Sequence, residues 1–170
     1  MDLELFIDPV LLEKSSFDEI SGNALTAFRT HFSNIVRLLT LSKTEEDAPW
    51  KGARKLLNLT EPPENGLGYG GTSRSGSSRP EDIQTMILRT TNEIVTLGTN
   101  DPEMISLMGF FEEGVGPDTI SDFTTRAIFL SLANITSDFC NSQGLHTTPL
   151  SDPHQSICLL YTSPSPRDRG

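Results

Sequence analysis

The stretch Ser21–Ser42, SGNALTAFRTHFSNIVRLLTLS, decides the fold class of this chain. Its large apolar residues recur at helical spacing, while Arg29, Asn34 and Arg37 fall mostly between them. The apolar positions are Leu25, Phe28, Phe32, Ile35, Val36 and Leu39. One face of the segment is therefore apolar and the other polar, which predicts an amphipathic helix.

The same periodicity predicts further helices on the carboxyl side of this stretch. A short helix follows Asp47, with Trp50, Ala53, Leu56 and Leu57 facing inward. Another is opened by Ser78-Arg-Pro-Glu81, since this string offers a Ser cap, a Pro in the first turn and a Glu for a capping box. It ends at Gly98 and directs Ile83, Met86, Ile87, Thr90, Ile94 and Leu97 inward.

Two more helices complete the predicted set. Asp101-Pro-Glu103 repeats the start signal for a short helix through Met108. A single longer helix runs from about Asp118 or Ser121 to Phe139, with Phe123, Ala127, Leu130 and Ile135 on one apolar face.

One strand is expected at the amino terminus. Leu3, Leu5 and Ile7 alternate with Glu4, Phe6 and Asp8, and Pro9 stops the run. The predicted fold class is mainly α with one short amino-terminal β-strand, in a single, truncated helical domain over residues 1–157.

Residues 61–79 form a Gly/Ser-rich loop between the second and third helices. It contains G-x-G-x-x-G from Gly66 to Gly71, a pattern that lets backbone N–H groups approach a phosphate. The pattern does not follow a strand or open a helix directly, so the alternative is a mobile connection. The candidate anion-binding residues are Gly68, Gly70, Gly71, Arg74 and Arg79.

The stretch FFEEGVGPDTISDFTT holds the second candidate site. Glu112, Glu113, Asp118 and Asp122 surround a Gly-Val-Gly-Pro turn, and such carboxylates could act as catalytic residues or hold a hard divalent cation. The alternative is helix-start chemistry, in which Asp118 or Ser121 caps a helix and Asp122 lies in its first turn. No particular metal, cofactor or reaction is indicated, so whether the chain is an enzyme stays open.

Composition narrows the function classes. The 170-residue chain carries 13 Lys and Arg against 23 Asp and Glu, which argues against binding nucleic acid through bulk positive charge. It has neither a basic region of the signal-peptide type near its start nor an apolar run long enough to span a membrane. These features predict a cytoplasmic protein without membrane contact.

The tail Cys158–Asp168, CLLYTSPSPRD, has a different origin. Its 11 codons can be written as one uninterrupted reading frame of a transposase-type sequencing adapter. Residues 158–170 are therefore expected to be non-native, and the protein itself is expected to continue beyond residue 157. Without Cys158, Cys140 is the only cysteine and has no partner for an internal disulfide, which fits a reducing cytoplasm.

Read together, LELFIDPVLLEKS, the Trp50 helix, ENGLGYGG and GFFEEGVGPDTISDFTT resemble a group of uncharacterised bacterial proteins carried among mobile-element and phage-defence genes. The resemblance spans roughly residues 2–140. It implies a mobile-element or phage-defence context and a longer full-length protein. One hypothesis is therefore the amino-terminal part of a defence factor acting on nucleic acid or nucleotide, with the Gly/Arg-rich loop meeting phosphate and the acidic turn near a metal. Nucleic acid or nucleotide would also be bound through the missing carboxyl-terminal part. The alternative is a non-catalytic helical interaction module whose acidic surface meets a basic partner.

Overall fold

Five α-helices carry the fold among the residues that a computed structural model describes, namely 6–59, 80–99, 113–145, 148–149 and 156–157. The helices are α1 (Leu25–Leu41), α2 (Ala48–Leu56), α3 (Pro80–Thr96), α4 (Pro117–Ala127) and α5 (Phe129–Ser142). A 3₁₀-helix, Pro9–Lys14, and a π-helical turn, Glu19–Ala24, precede α1. The antiparallel pair β1 (Thr148–Pro149) and β2 (Ser156–Ile157) sets Thr148 opposite Ile157. The predicted mainly α class is confirmed.

The chain divides into two compact units, Met1–Ile128 and Phe129–Gly170. The first unit is built around α1, against which α2, α3, α4 and the 3₁₀-helix all pack. Five of the six apolar residues predicted for the inner face of α1 are buried, as their helical spacing requires. They are Phe28, Phe32, Ile35, Val36 and Leu39.

Phe123 joins α4 to α1 through aromatic packing. Its ring meets those of Phe28, His31 and Phe32 edge to face, with centroid separations of 6.0, 5.6 and 6.2 Å. Only 1% of Phe123 is exposed. Edge-to-face geometry places the positive ring edge against a negative face, so the contacts add to the gain from burial.

The predicted amino-terminal strand is not seen among the described residues. Phe6 and Ile7 lie in no strand, and residues 3–5 lie outside the described part of the chain. The physical reason is a helix start immediately afterwards: the Asp8 side chain accepts a hydrogen bond from the Val10 N–H at 2.9 Å, and Pro9 occupies the first position of the 3₁₀-helix.

The predicted single helix from about Asp118 to Phe139 is two helices. Ile128, between α4 and α5, has φ −107° and ψ 13°, outside helical values, and its side chain is buried. Leu130, expected to face inward on the same helix, is 55% exposed. The expectation for Leu97 is also wrong, since it lies beyond the end of α3 and is 86% exposed.

The buried face of α4 is unusually polar. Besides Phe123 it carries Ser121, Thr124 and Thr125, all at most 3% exposed. Thr124 donates its hydroxyl to the Ile120 carbonyl, but the Thr125 hydroxyl has no hydrogen-bond partner in the described structure. Small polar residues allow close packing, and apolar periodicity alone does not reveal such a face.

The second unit consists of α5 followed by the β1–β2 pair. Cys140 on α5 is fully buried and disulfide-bonded, which contradicts the expectation that it has no disulfide partner. The only other cysteine of the sequence is Cys158, outside the described residues. That expectation followed from setting the tail aside as non-native.

Candidate functional site

The carboxylates around the Gly-Val-Gly-Pro turn, called the acidic turn below, differ in exposure near the start of α4. Glu113 is exposed before the helix, Asp118 is exposed within the first turn, and Asp122 is half-buried one turn later. Glu112 lies outside the described residues. In the part of the chain that the structure describes, no group of three His, Cys, Asp or Glu side chains could hold a metal ion. The role of these four residues in catalysis or cation binding stays a prediction.

The start of α4 also corrects the capping hypothesis. Its N-cap is Gly116, which has no side chain to donate or accept, so neither Asp118 nor Ser121 caps the helix. Asp118 lies in the first turn, where a negative charge interacts favourably with the helix dipole. Ser121 is buried and accepts a hydrogen bond from the Ile7 N–H at 2.9 Å. The hydroxyl fixes the amino-terminal segment to α4.

The Gly/Arg-rich candidate site lies outside the described residues. This applies to all five candidate anion-binding positions, which stay predictions: Gly68, Gly70, Gly71, Arg74 and Arg79. The structure does describe the chain up to Leu59 and again from Pro80, where α3 begins as its Pro and acidic first turn predict.

A polar junction closes the carboxyl end of α2, directly before this loop. Gln84 of α3 donates from Nε2 to the carbonyl oxygens of Arg54, at 2.7 Å, and of Leu57, and it accepts from Arg54 Nε at 3.0 Å. His31 of α1 donates from Nε2 to the Leu56 carbonyl at 3.0 Å. The last carbonyls of a helix lack partners within the helix, so these two side chains satisfy them. Both groups act structurally in this arrangement.

Asp47 performs the corresponding task at the amino end of α2. Its carboxylate accepts hydrogen bonds from the backbone N–H groups of Lys43, Thr44 and Trp50 at 2.7, 3.1 and 2.9 Å, and from the Ser42 hydroxyl at 3.0 Å. These donors favour the charged carboxylate, with the Lys43 and Trp50 N–H groups contributing most, and lower the pKa of Asp47 to about 2. Asp47 therefore orders the connection between α1 and α2.

Large apolar side chains are exposed on the amino-terminal segment. Within the 12 residues from 6 to 17, Phe6, Val10, Leu11 and Phe17 are 43%, 51%, 53% and 63% exposed. We call these four residues the amino-terminal apolar surface. Isolated exposed hydrophobic residues are common, but four within one short segment favour an interaction site.

The segment that carries this surface is held firmly against the first unit. Leu12, in the middle of the 3₁₀-helix, is 4% exposed, so the helix buries one side while Val10 and Leu11 lie on the others. The Phe17 carbonyl accepts hydrogen bonds from the Ile20 and Ser21 N–H groups at 2.9 and 3.0 Å. Together with the bond from Ile7 to Ser121, these contacts fix the backbone at both ends of the surface.

Sequence reasoning missed the amino-terminal apolar surface because it assigned Phe6 and Ile7 to a strand. The sequence did contain a signal for the local structure, since Asp8-Pro9 is a helix-start pair of the same kind as Asp47 with Pro49. It held no signal for which of the three consecutive residues Val10, Leu11 and Leu12 would be buried.

Comparison with known proteins assigns the chain to a family. Residues 1–157 match the family described as a domain of unknown function, DUF8370, and the chain belongs to this family. No curated protein and no solved structure matches it. Among the described residues, no helix has the length and apolar character needed to cross a membrane.

Proposed function

We propose that this member of the DUF8370 family is a non-catalytic helical interaction module that binds a protein partner through its amino-terminal apolar surface. The observation that carries the proposal is the exposure of Phe6, Val10, Leu11 and Phe17 on a segment whose backbone is fixed. Burying such side chains against a partner would contribute about 25 cal/mol for each Å² of apolar area removed from water.

The fixed backbone matters as much as the exposed area. Binding costs free energy when a loop must be ordered, and a segment already tied to α4 through Ser121 avoids much of that cost. Phe17 supplies a rigid aromatic group, the kind of side chain that commonly anchors protein interfaces. The segment therefore combines pre-organisation with an anchor residue.

A photo-cross-linking experiment tests this proposal. A photoreactive amino acid is placed at position 17 in one protein and at position 97 in a control, because Leu97 is exposed but lies at the far end of α3. We expect a discrete adduct at position 17 only. The cross-linked protein is then identified, purified and titrated with the wild-type chain. Identical adducts at both positions, or no binding by the purified protein, would contradict the proposed function.

The rival hypothesis is a bacterial defence factor acting on nucleic acid or nucleotide, and within this chain it uses the Gly/Arg-rich loop of residues 61–79 to meet phosphate and the acidic turn near a metal. Its test is the double change Arg74→Ala/Arg79→Ala, measured by titration with a nucleotide and a short oligonucleotide at low salt, where exposed charges are least screened. Binding that is lost in the double variant would favour this function over the interaction module.

The proposal concerns residues 1–157 and treats residues 158–170 as adapter-derived. The match to the family supports this division, since it ends at residue 157. A bacterial, cytoplasmic origin is part of the same proposal. Overlapping sequencing reads test it: genomic sequence continuing through the codons of Cys158–Asp168 would contradict an adapter origin.

A further inference from the structure

Carboxylates border the amino-terminal apolar surface. Between Phe6 and Glu19 the chain carries Asp8, Glu13, Asp18 and Glu19 against a single cation, Lys14. The first three of these acidic residues are exposed. Any partner that covers Val10, Leu11 and Phe17 therefore brings its own edge close to negative charges.

The exposed carboxylates are not neutralised by strong ion pairs of the described chain. Glu13 lies 3.8 Å from Arg29, but the Glu13 side chain is 74% exposed, so this contact is weak in water. Asp8 uses one oxygen to cap the 3₁₀-helix, while Asp18 makes no capping hydrogen bond at the π-helical turn. The border of the surface remains negative.

From this arrangement we infer that the partner is a basic amphipathic helix of another protein, with apolar anchors on one face and Lys or Arg beside them. The inference rests on the proposed function and adds the chemistry of the partner. Apolar anchors match Leu11 and Phe17, and flanking cations match Glu13 and Asp18, so both parts of the surface are used.

The negative charge also disfavours the other molecules that could cover this surface. A second copy of this chain would bring the same acidic border into contact with itself, in a protein whose net charge is −10. Anionic lipid and nucleic acid would meet the same repulsion. A basic partner alone gains from both the apolar centre and the acidic border.

The probe for this inference is a synthetic helical peptide of Leu and Lys with all Leu on one face. It is compared with a peptide in which Glu replaces Lys and with one of scrambled Leu/Lys order. We expect the wild-type chain to bind the amphipathic Leu/Lys peptide, measured by calorimetry, and to bind both other peptides at least about tenfold more weakly. Equal affinity for the Glu peptide would overturn the inference.

Two double variants distinguish the contribution of the apolar residues to peptide binding from that of the bordering carboxylates. Leu11→Ser/Phe17→Ser keeps the charge of the chain and should weaken binding at least about tenfold, as loss of two anchors does. Glu13→Gln/Asp18→Asn keeps the shape and should weaken binding about threefold at low salt, with a smaller difference at high salt. Leu97→Ser is the control for an exposed apolar residue elsewhere and should bind as the wild type does.

The outcomes distinguish this inference from the proposed function. If a partner cross-links at position 17 but the Leu/Lys peptide binds the Leu11→Ser/Phe17→Ser variant unchanged, the basic-helix inference fails and the interaction module stands. If position 17 also gives no adduct, both the basic-helix inference and the proposed interaction module fail. If sedimentation shows that the wild type is a dimer and the Leu11→Ser/Phe17→Ser variant a monomer, a second copy of the chain covers the surface. If the wild type binds phosphatidylglycerol vesicles and the Leu11→Ser/Phe17→Ser variant does not, the surface binds a membrane. Either result would overturn the inference.

Discussion

Phe123 and Phe17 belong to the same compact unit, yet 1% of the first and 63% of the second is exposed. Phe123 lies among three rings of α1, whereas Phe17 precedes the π-helical turn with its backbone bonded and its ring largely in water. The comparison separates two uses of an aromatic side chain. One stabilises the fold, and the other is available to a partner.

The polar groups follow the same division. Around the interior, Gln84, His31 and Asp47 use their hydrogen-bonding atoms to close the ends of α2. Along the amino-terminal apolar surface, Glu13 and Asp18 are exposed. Their charges are therefore available to an approaching molecule, whereas the polar atoms of Gln84, His31 and Asp47 are hydrogen-bonded to backbone groups.

The largest expected effect is that of Phe123→Ala. Removing a buried ring leaves a cavity between α1 and α4 and should lower the free energy of unfolding by about 3–5 kcal/mol. Urea denaturation followed by circular dichroism measures the loss, with Leu97→Ala as the exposed control. A change below about 1 kcal/mol for Phe123→Ala would show that the aromatic cluster does not hold α4 in place.

Gln84→Met should have the next largest effect. The substitution keeps the length of the side chain but removes the donor to the Arg54 and Leu57 carbonyls, leaving part-buried acceptors without their partner. We expect a loss of about 1–3 kcal/mol in the free energy of unfolding. Gln143→Met is the matched control because Gln143 is exposed beyond the end of α5. Equal stability of the two variants would contradict the structural role of the polar junction.

Asp47 links the stability of the interior to pH. Its pKa is about 2 in the folded chain, below the value near 3.9 of an unfolded Asp, so its contribution is present above about pH 4 and is lost as the pH falls towards 2. We expect thermal melts of Asp47→Asn to lose less stability over this range than those of the wild type. Asp118→Asn, which removes an exposed first-turn carboxylate, is the control. Parallel curves for Asp47→Asn and wild type would show that Asp47 contributes no proton-linked stability.

Much of the first unit could be predicted because its signals are local. Three signals each depend on residues within one or two helical turns: the apolar spacing of α1, the Asp47 and Pro49 pair at the start of α2, and Pro80 at the start of α3. One failure involves a distant contact, since Ser121 bonds to Ile7, 114 residues away, instead of capping α4. Another is the break at Ile128, which apolar periodicity did not reveal.

The candidate sites were harder to predict than the helices. The carboxylates of the acidic turn are close in sequence, but their separation along α4 and their different exposure depend on where the helix begins. The exposure of Val10 and Leu11 beside buried Leu12 depends on which side of the 3₁₀-helix faces the rest of the unit. Neither property is a function of residue type alone.

The smallest expected effect on stability is that of Phe17→Ser, and it provides the sharpest test of the opening comparison. A ring that is 63% exposed gives up little burial when it is removed, while the hydrogen bonds to the Phe17 carbonyl belong to the backbone and are kept. The free energy of unfolding should therefore change by no more than about 0.5 kcal/mol, as for most surface substitutions. The same urea titration that measures Phe123→Ala measures this variant. A loss of about 2 kcal/mol or more would show that Phe17 stabilises the fold, and its exposure could then no longer be attributed to partner binding. If stability is unchanged and binding of the Leu/Lys peptide still weakens, the two phenylalanines differ in function as they do in exposure.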